Sequence, residues 1–300
     1  MPTFHYFFKK LISSAIFLIS VRIMAQQPVP VNLPDPISFN SAAASGICSN
    51  DILLYNLRKD PNYKAKEDKM NYEIMKAYRT LVPDTIYLPV VFHIINPNPA
   101  SITDIQILNG LKDLNDAFGK DGAYAASLGV DTKIRFCIAR NDPDGGNTTG
   151  ITRTESFYST NLNMDNEDGR LKNLIQWDPS RYINIWLVTN IKGEAYADYM
   201  CGSWYRLGVG GYATMPPGGG SLDGIVVSGF GKVMAHEMGH YLGLYHTFEG
   251  GCSNFDCLLN GDRVCDTPPD GTVRPSAGCG SPSNTCTTDT LSSYSNGSFP

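Results

Sequence analysis

Eleven consecutive residues, HEMGHYLGLYH from His236 to His246, constrain this chain more than any other stretch. His236 and His240 are four apart, so on a helix they stand one turn apart on the same face, where both imidazoles reach one cation. Glu237 follows the first of them and can point at a water on that cation. Gly243 has no Cβ and can end the helix in a conformation that other residues resist. The chain then turns back and offers His246 as a third ligand. Three histidines leave the fourth position of a tetrahedral zinc open, which separates a catalytic site from a closed structural one. A structural zinc would not need Glu237 and would usually recruit a fourth Cys or His. The spacing predicts a helix over residues 231–242, with Val233, Met234, Met238, Tyr241 and Leu242 turned into the core.

Histidine is used sparingly elsewhere. Of the five in the chain, three fall in this segment. His5 lies at the extreme N-terminus. His93 sits in the apolar run YLPVVFHII and is expected to be a hydrogen-bonded core residue, not a ligand.

The N-terminus reads as a leader. Lys9 and Lys10 precede LISSAIFLISV, and Ala25 follows at a suitable cleavage point. That apolar run is about half of what a membrane span needs, and Arg22 closes it. Residues 1–25 are therefore expected to be a signal peptide, and the mature protein to be secreted, extracellular and without a membrane anchor. A net charge of −5 and the lack of a basic stripe exclude nucleic acid as a natural partner. Eight cysteines fit an oxidising compartment: Cys48, Cys137, Cys201, Cys252, Cys257, Cys265, Cys279 and Cys286. They are expected to be mostly paired, in a connectivity the sequence leaves open. No CxxC spacing suggests a second zinc site.

Along the chain the pattern is α+β. Residues 26–45 are rich in Pro, Ser, Ala and Asn and read as linker. Residues 47–81 are charged and partly helical, with a break at Asp60-Pro61. From Ile86 the run IYLPVVFHII reads as a strand. Ser101 to Asp104 reads as a capping box, and Ile107, Leu108, Leu111, Leu114 and Phe118 follow helical spacing behind it. KIRFCIA, YINIWLV and DGIVVSG read as strands, and Asp142-Pro-Asp-Gly-Gly as a turn.

HExxHxxGxxH is the metzincin signature, and its flanks narrow the resemblance. LGLYHTFEGGC followed by GDRVCDTP resembles the pappalysin family, in particular its cytophagalysin-like branch. PVVFHII with ITDIQI, IRFCIAR with GITR, YINIWLV, GYATMP and DGIVV look like the same family's catalytic domain, so the likeness covers roughly residues 83–290. It implies a twisted mixed sheet with backing helices, followed by an irregular, disulfide-tied lower subdomain. It implies a zinc endopeptidase with His236, His240 and His246 as ligands and Glu237 as general base. A peptide would lie extended beside the DGIVVSG strand, near Asp223 and Ser228, adding to an exposed sheet edge. The resemblance also points to calcium at Asp262, Asp266 and Thr267, where the plainer alternative is a polar turn capping its own amides. Residues 26–82 would be a prosegment and 83–300 the catalytic domain. Cys48, in GICSND, would then be a latency switch on the zinc, a disulfide partner or a free thiol; as the switch it leaves seven other cysteines, with Cys279 expected to be the one without a partner. The family's methionine turn has no counterpart here: no methionine follows Met238, and Tyr294 is in no matching motif. The chain is expected to stop before that turn, which leaves as a second reading a truncated, inactive zinc-binding or adhesive extracellular protein.

Overall fold

A continuous apolar run from Ile86 builds the first strand, buried on both faces from Val90 on, and the rest of the sheet assembles around it. The computed structural model describes residues 49–77, 84–127, 129–192, 196–200, 203–207, 209–252, 262–264, 267 and 286. The expected leader, Cys48, Cys279 and Tyr294 lie outside these residues. Those from 49 to 197 and from 206 to 244 form one compact unit, and the remainder belong to a second. No described helix is long and apolar enough to cross a membrane.

In chain order the elements are α1 (Ser49–Leu57), α2 (Pro61–Ala77), β1 (Ile86–Asn96), α3 (Asp104–Gly119), β2 (Ile134–Ile138), β3 (Ile151–Glu155), α4 (Met164–Lys172), β4 (Ile183–Leu187), β5 (Tyr196–Met200), β6 (Ser203–Leu207), β7 (Gly211–Ala213), β8 (Gly224–Val227) and α5 (Lys232–Tyr241). The main sheet runs β2-β1-β4-β8-β7, with β3 also on β1. β1 is long enough for β2 to pair with Ile86–Val90 and β3 with Phe92–Asn96, both parallel. β4 and β8 continue the parallel order, and only β7 runs antiparallel, against β8. β5 and β6 pair in a separate two-stranded sheet.

Period-two alternation divides the apolar residues between the two faces. Val90, Phe92 and Ile94, Ile183, Ile185 and Leu187, and Ile225 and Val227 pack with Ile107, Leu111 and Leu114 of α3 and Met234, Met238 and Tyr241 of α5. Ile95, Trp186, Tyr212 and Val226 pack on the other face with Met164 and Leu171 of α4. His93 is fully buried there. Its Nε2 lies 2.8 Å from Asn184 Oδ1 and its Nδ1 2.7 Å from Thr152 Oγ1. Asn184 Nδ2 donates to the Trp177 carbonyl and Oδ1 accepts from the Trp177 N–H, which fixes the amide orientation. His93 therefore donates from Nε2 and accepts at Nδ1. Burial lowers its pKa to about 4 against the opposing effect of the Asn184 bond. It is a neutral core histidine, as its apolar surroundings imply.

Three expectations need correction. The capping box lies two residues later than read. Ser101 belongs to the short turn Pro99–Ser101, and Thr103 caps α3, its Oγ1 accepting from Gln106 N–H while Gln106 Oε1 accepts from Thr103 N–H at 2.8 Å. Gln106 reaches back across the first turn, which the shorter Asp104 at the box position does not do. Leu108 is 47% exposed, because Ile107, Leu111 and Leu114 already fill the buried stripe. β8 is not an exposed edge: β4 pairs with one side and β7 with the other, so its backbone groups are committed. Among the described residues, β7 is the last strand at this end of the sheet.

The charged stretch before the sheet forms two helices broken where Pro61 stands. Asp60 Oδ1 accepts from Asn62 N–H at the start of α2, and Arg58 pairs with the buried Glu67 at 2.8 Å.

Candidate metal centre

Helix α5 begins without a side-chain cap, at Gly231. It ends in a Schellman arrangement: Leu244 N–H donates to the Gly239 carbonyl at 3.0 Å and Gly243 N–H to the His240 carbonyl at 2.9 Å. Gly243 has φ +103°, a conformation that side chains rarely adopt. The glycine that the motif requires is thus the residue that ends the helix and turns the chain toward His246.

The turn also aims a ligand. His240 Nδ1 lies 2.8 Å from the Leu244 carbonyl oxygen, which can only accept, so Nδ1 carries the proton and Nε2 presents its lone pair. That Nε2 lies 3.0 Å from His236 Nε2, with the two rings nearly perpendicular. His246 adds a third nitrogen, and the three ligand atoms lie within 4.8 Å of one another. A tetrahedral zinc with nitrogens at about 2.0–2.1 Å separates them by roughly 3.3 Å, so this donor set fits the ion. His246 stacks on Phe248, with ring centroids 4.5 Å apart. His236 is exposed while His240 is buried. Glu237, 2% exposed, occupies the next helical position after His236.

Strand β7 runs directly beside Glu237. A Cβ built on Gly211 would stand 2.7 Å from Glu237 Cγ and 2.9 Å from the Val226 carbonyl, so only glycine leaves the carboxylate its place. Tyr212 pairs with Val226, while Ala213 N–H points away from β8 and donates to Asn50 Oδ1 of α1 at 3.0 Å. Asn50 is 2% exposed. Sequence reading missed both Gly211 and Asn50. GYA is too short for a periodic signal, and nothing near Asn50 points to a strand 163 residues on.

Other expected site residues are less gathered. Asp262 Oδ1 accepts from Val264 N–H at 3.0 Å, as a polar turn would have it. Thr267 N–H donates to the Val264 carbonyl. Asp266 lies outside the described residues. Cys252 and Cys286 form a disulfide, whereas Cys137 is a free, exposed thiol on β2. Cys137 is thus an unpaired cysteine within an expectation of mostly paired ones, and its Sγ contacts the Leu88 carbonyl.

Sheet, backing helices and an HExxHxxGxxH helix turned at glycine together define a metzincin-type domain. Within that class the chain resembles the pappalysins: residues 165–296 match the peptidase M43 family described as pregnancy-associated plasma protein-A. A promirolysin mutant of Tannerella forsythia superposes with a TM-score of 0.57 at 27% identity, over 76% of this chain and 77% of that one. Mature mirolysin in complex with a cleaved peptide superposes at 0.50 and 29% identity, over 64% and 75%. An extracellular metalloprotease of Verticillium alfalfae is 37% identical over 65% of this chain and 61% of its own length. One from Neurospora crassa is 27% identical over 67% and 62%. The chain spans about three fifths of the length of these curated relatives.

Proposed function

We propose that the protein is a secreted zinc endopeptidase that cleaves peptide bonds of protein substrates, with Glu237 as general base. The observation that carries this reading is the convergence of three imidazole nitrogens at zinc spacing beside a buried glutamate. Zinc, when bound, lowers the pKa of a coordinated water to about 7 and polarises a carbonyl. Glu237 takes the proton of the attacking water and delivers it to the leaving amine. His240, oriented by the Leu244 carbonyl, keeps its Nε2 free of a proton. The peptide lies extended along the outer edge of β7, because β8 has no free side. The relatives' description as extracellular supports secretion.

Casein or peptide cleavage, with and without o-phenanthroline and with zinc restored, tests the reading. Cleavage that the chelator stops and zinc recovers is expected. Zinc binding with no turnover would instead favour the inactive, adhesive alternative.

A latent precursor belongs to the same reading, and the contact of Asn50 with Ala213 N–H favours it. A side-chain amide from residues 26–82 occupies the hydrogen-bonding position a substrate backbone would need. Cys48, two residues before Asn50, is in this proposal the thiol that closes the zinc. A Cys48→Ala precursor is expected to be more active than the unprocessed wild type, and equal activity would refute the switch.

A further inference from the structure

Lys172 ends helix α4, and its side chain is 2% exposed. Its Nζ lies 3.1 Å from Asp168 Oδ1, 3.1 Å from the Leu222 carbonyl and 3.4 Å from Thr214 Oγ1. An ammonium has three N–H groups, and here it meets three oxygen acceptors. The Nζ also stands 5.2 Å and 5.4 Å from the ring centroids of Trp186 and Tyr212. The Tyr212 hydroxyl donates to the same Asp168 Oδ1 at 2.6 Å. Burial lowers the lysine's pKa, against the attraction of Asp168. Taking an ammonium out of water is costly, and a methionine would fill the same space without that cost. What the ammonium adds is direction, and its direction is specific. Tyr212 lies within β7, Thr214 just after it, and Leu222 just before β8. The two ends of the loop between β7 and β8 are thus fastened to one charge. Thr214 Oγ1 donates to the Leu222 carbonyl at 3.3 Å and closes the ring.

We propose that Lys172, acting through Asp168, Tyr212 and Thr214, is a positioning residue that fixes the height and twist of the β7 edge against which the peptide is read. The inference rests on the proposed peptidase activity. β7 has only three residues and, among the described residues, a single neighbouring strand, so its backbone pairing alone leaves it weakly held. Ala213 presents its N–H outward, so a small rotation of β7 displaces the backbone donor with which an extended peptide would pair. Such a shift removes binding shared by ground state and transition state, and it appears in KM.

Two variants test this. Lys172→Met keeps length and bulk and removes the three donors. Tyr212→Phe removes one hydroxyl and leaves the ring. In the full chain, hydrogen exchange followed by mass spectrometry should show faster exchange in peptides covering 209–222, with the peptide around α3 unchanged. After limited proteolysis of the extension, Lys172→Met should raise KM for a peptide substrate about tenfold and Tyr212→Phe about threefold, with kcat within twofold of wild type. A purely structural lysine would lower the melting temperature and leave KM alone. Unchanged exchange in 209–222, or a kcat loss at constant KM, overturns the proposal. Should Lys172→Met not fold, Tyr212→Phe decides by the same two readouts. A wild-type chain that cleaves no peptide defeats the peptidase reading and this one together, whereas an active wild type with unaltered variants defeats only this one.

Discussion

Helices α3 and α5 pack on the same face of one sheet and share one apolar cluster, yet they are built on different terms. α3 buries Ile107, Leu111 and Leu114, starts with a reciprocal capping box at Thr103 and Gln106, and closes on Lys120 in the left-handed conformation. α5 also contributes Met234, Met238 and Tyr241 to the cluster. It additionally buries Glu237 and His240 and begins at Gly231 with no side-chain cap. In α3 the cap and the buried stripe both favour the helix. In α5 the buried carboxylate and imidazole are what packing alone would avoid. The Schellman turn and the sheet beneath hold α5 in place of local preference. The difference separates residues that serve the fold from residues that serve the site on two helices of one core.

Crossed substitutions put the largest strain on that separation. Glu237→Gln should lower peptide hydrolysis by about 10²–10⁴-fold, the usual worth of a general base, while the melting temperature holds or rises. Leu114→Ala should do the reverse, costing about 2–5 kcal/mol of stability while cleavage per folded molecule stays within roughly twofold of wild type. Calorimetry and active-site-normalised kinetics on both proteins check the pair. A Glu237→Gln chain that melts far lower and still cleaves would make Glu237 a structural residue and erase the contrast.

Much of this was legible in sequence because the signals are local. The continuous apolar run at Ile86 and the period-3.6 stripe at Ile107, Leu111 and Leu114 each report burial within a few residues. HEMGHYLGLYH carries its own helix, stop and three imidazoles, and even Gly243's positive φ follows from its place in the motif. What was hidden depends on partners far along the chain. β7, with three residues, has no period to detect, and without it β8 looks like an edge. Lys172 stands in NEDGRLK and reads as surface. Only the fold brings Thr214 and Leu222 to its Nζ, 42 and 50 residues away. Cys137 shows the same limit: an oxidising compartment argues for pairing in general, and the fold leaves this one thiol without a sulfur neighbour.

The smallest effect tests the most local element. Thr103→Ala removes the Oγ1 acceptor for Gln106 N–H and should cost about 1 kcal/mol, a melting shift of roughly 2–4 °C for a domain of this size. Ser101→Ala removes only an exposed hydroxyl that donates to the Asn98 carbonyl at 2.7 Å, and it should cost less. Cleavage per folded molecule should be unaffected by either, because α3 carries none of the site. If Ser101→Ala proves the costlier change, the helix starts where sequence spacing alone would put it, and Gln106 is not the residue that holds the first turn. If both are silent, α3 is held by its buried stripe as fully as α5 is held by the sheet, and its cap is not what distinguishes the two helices.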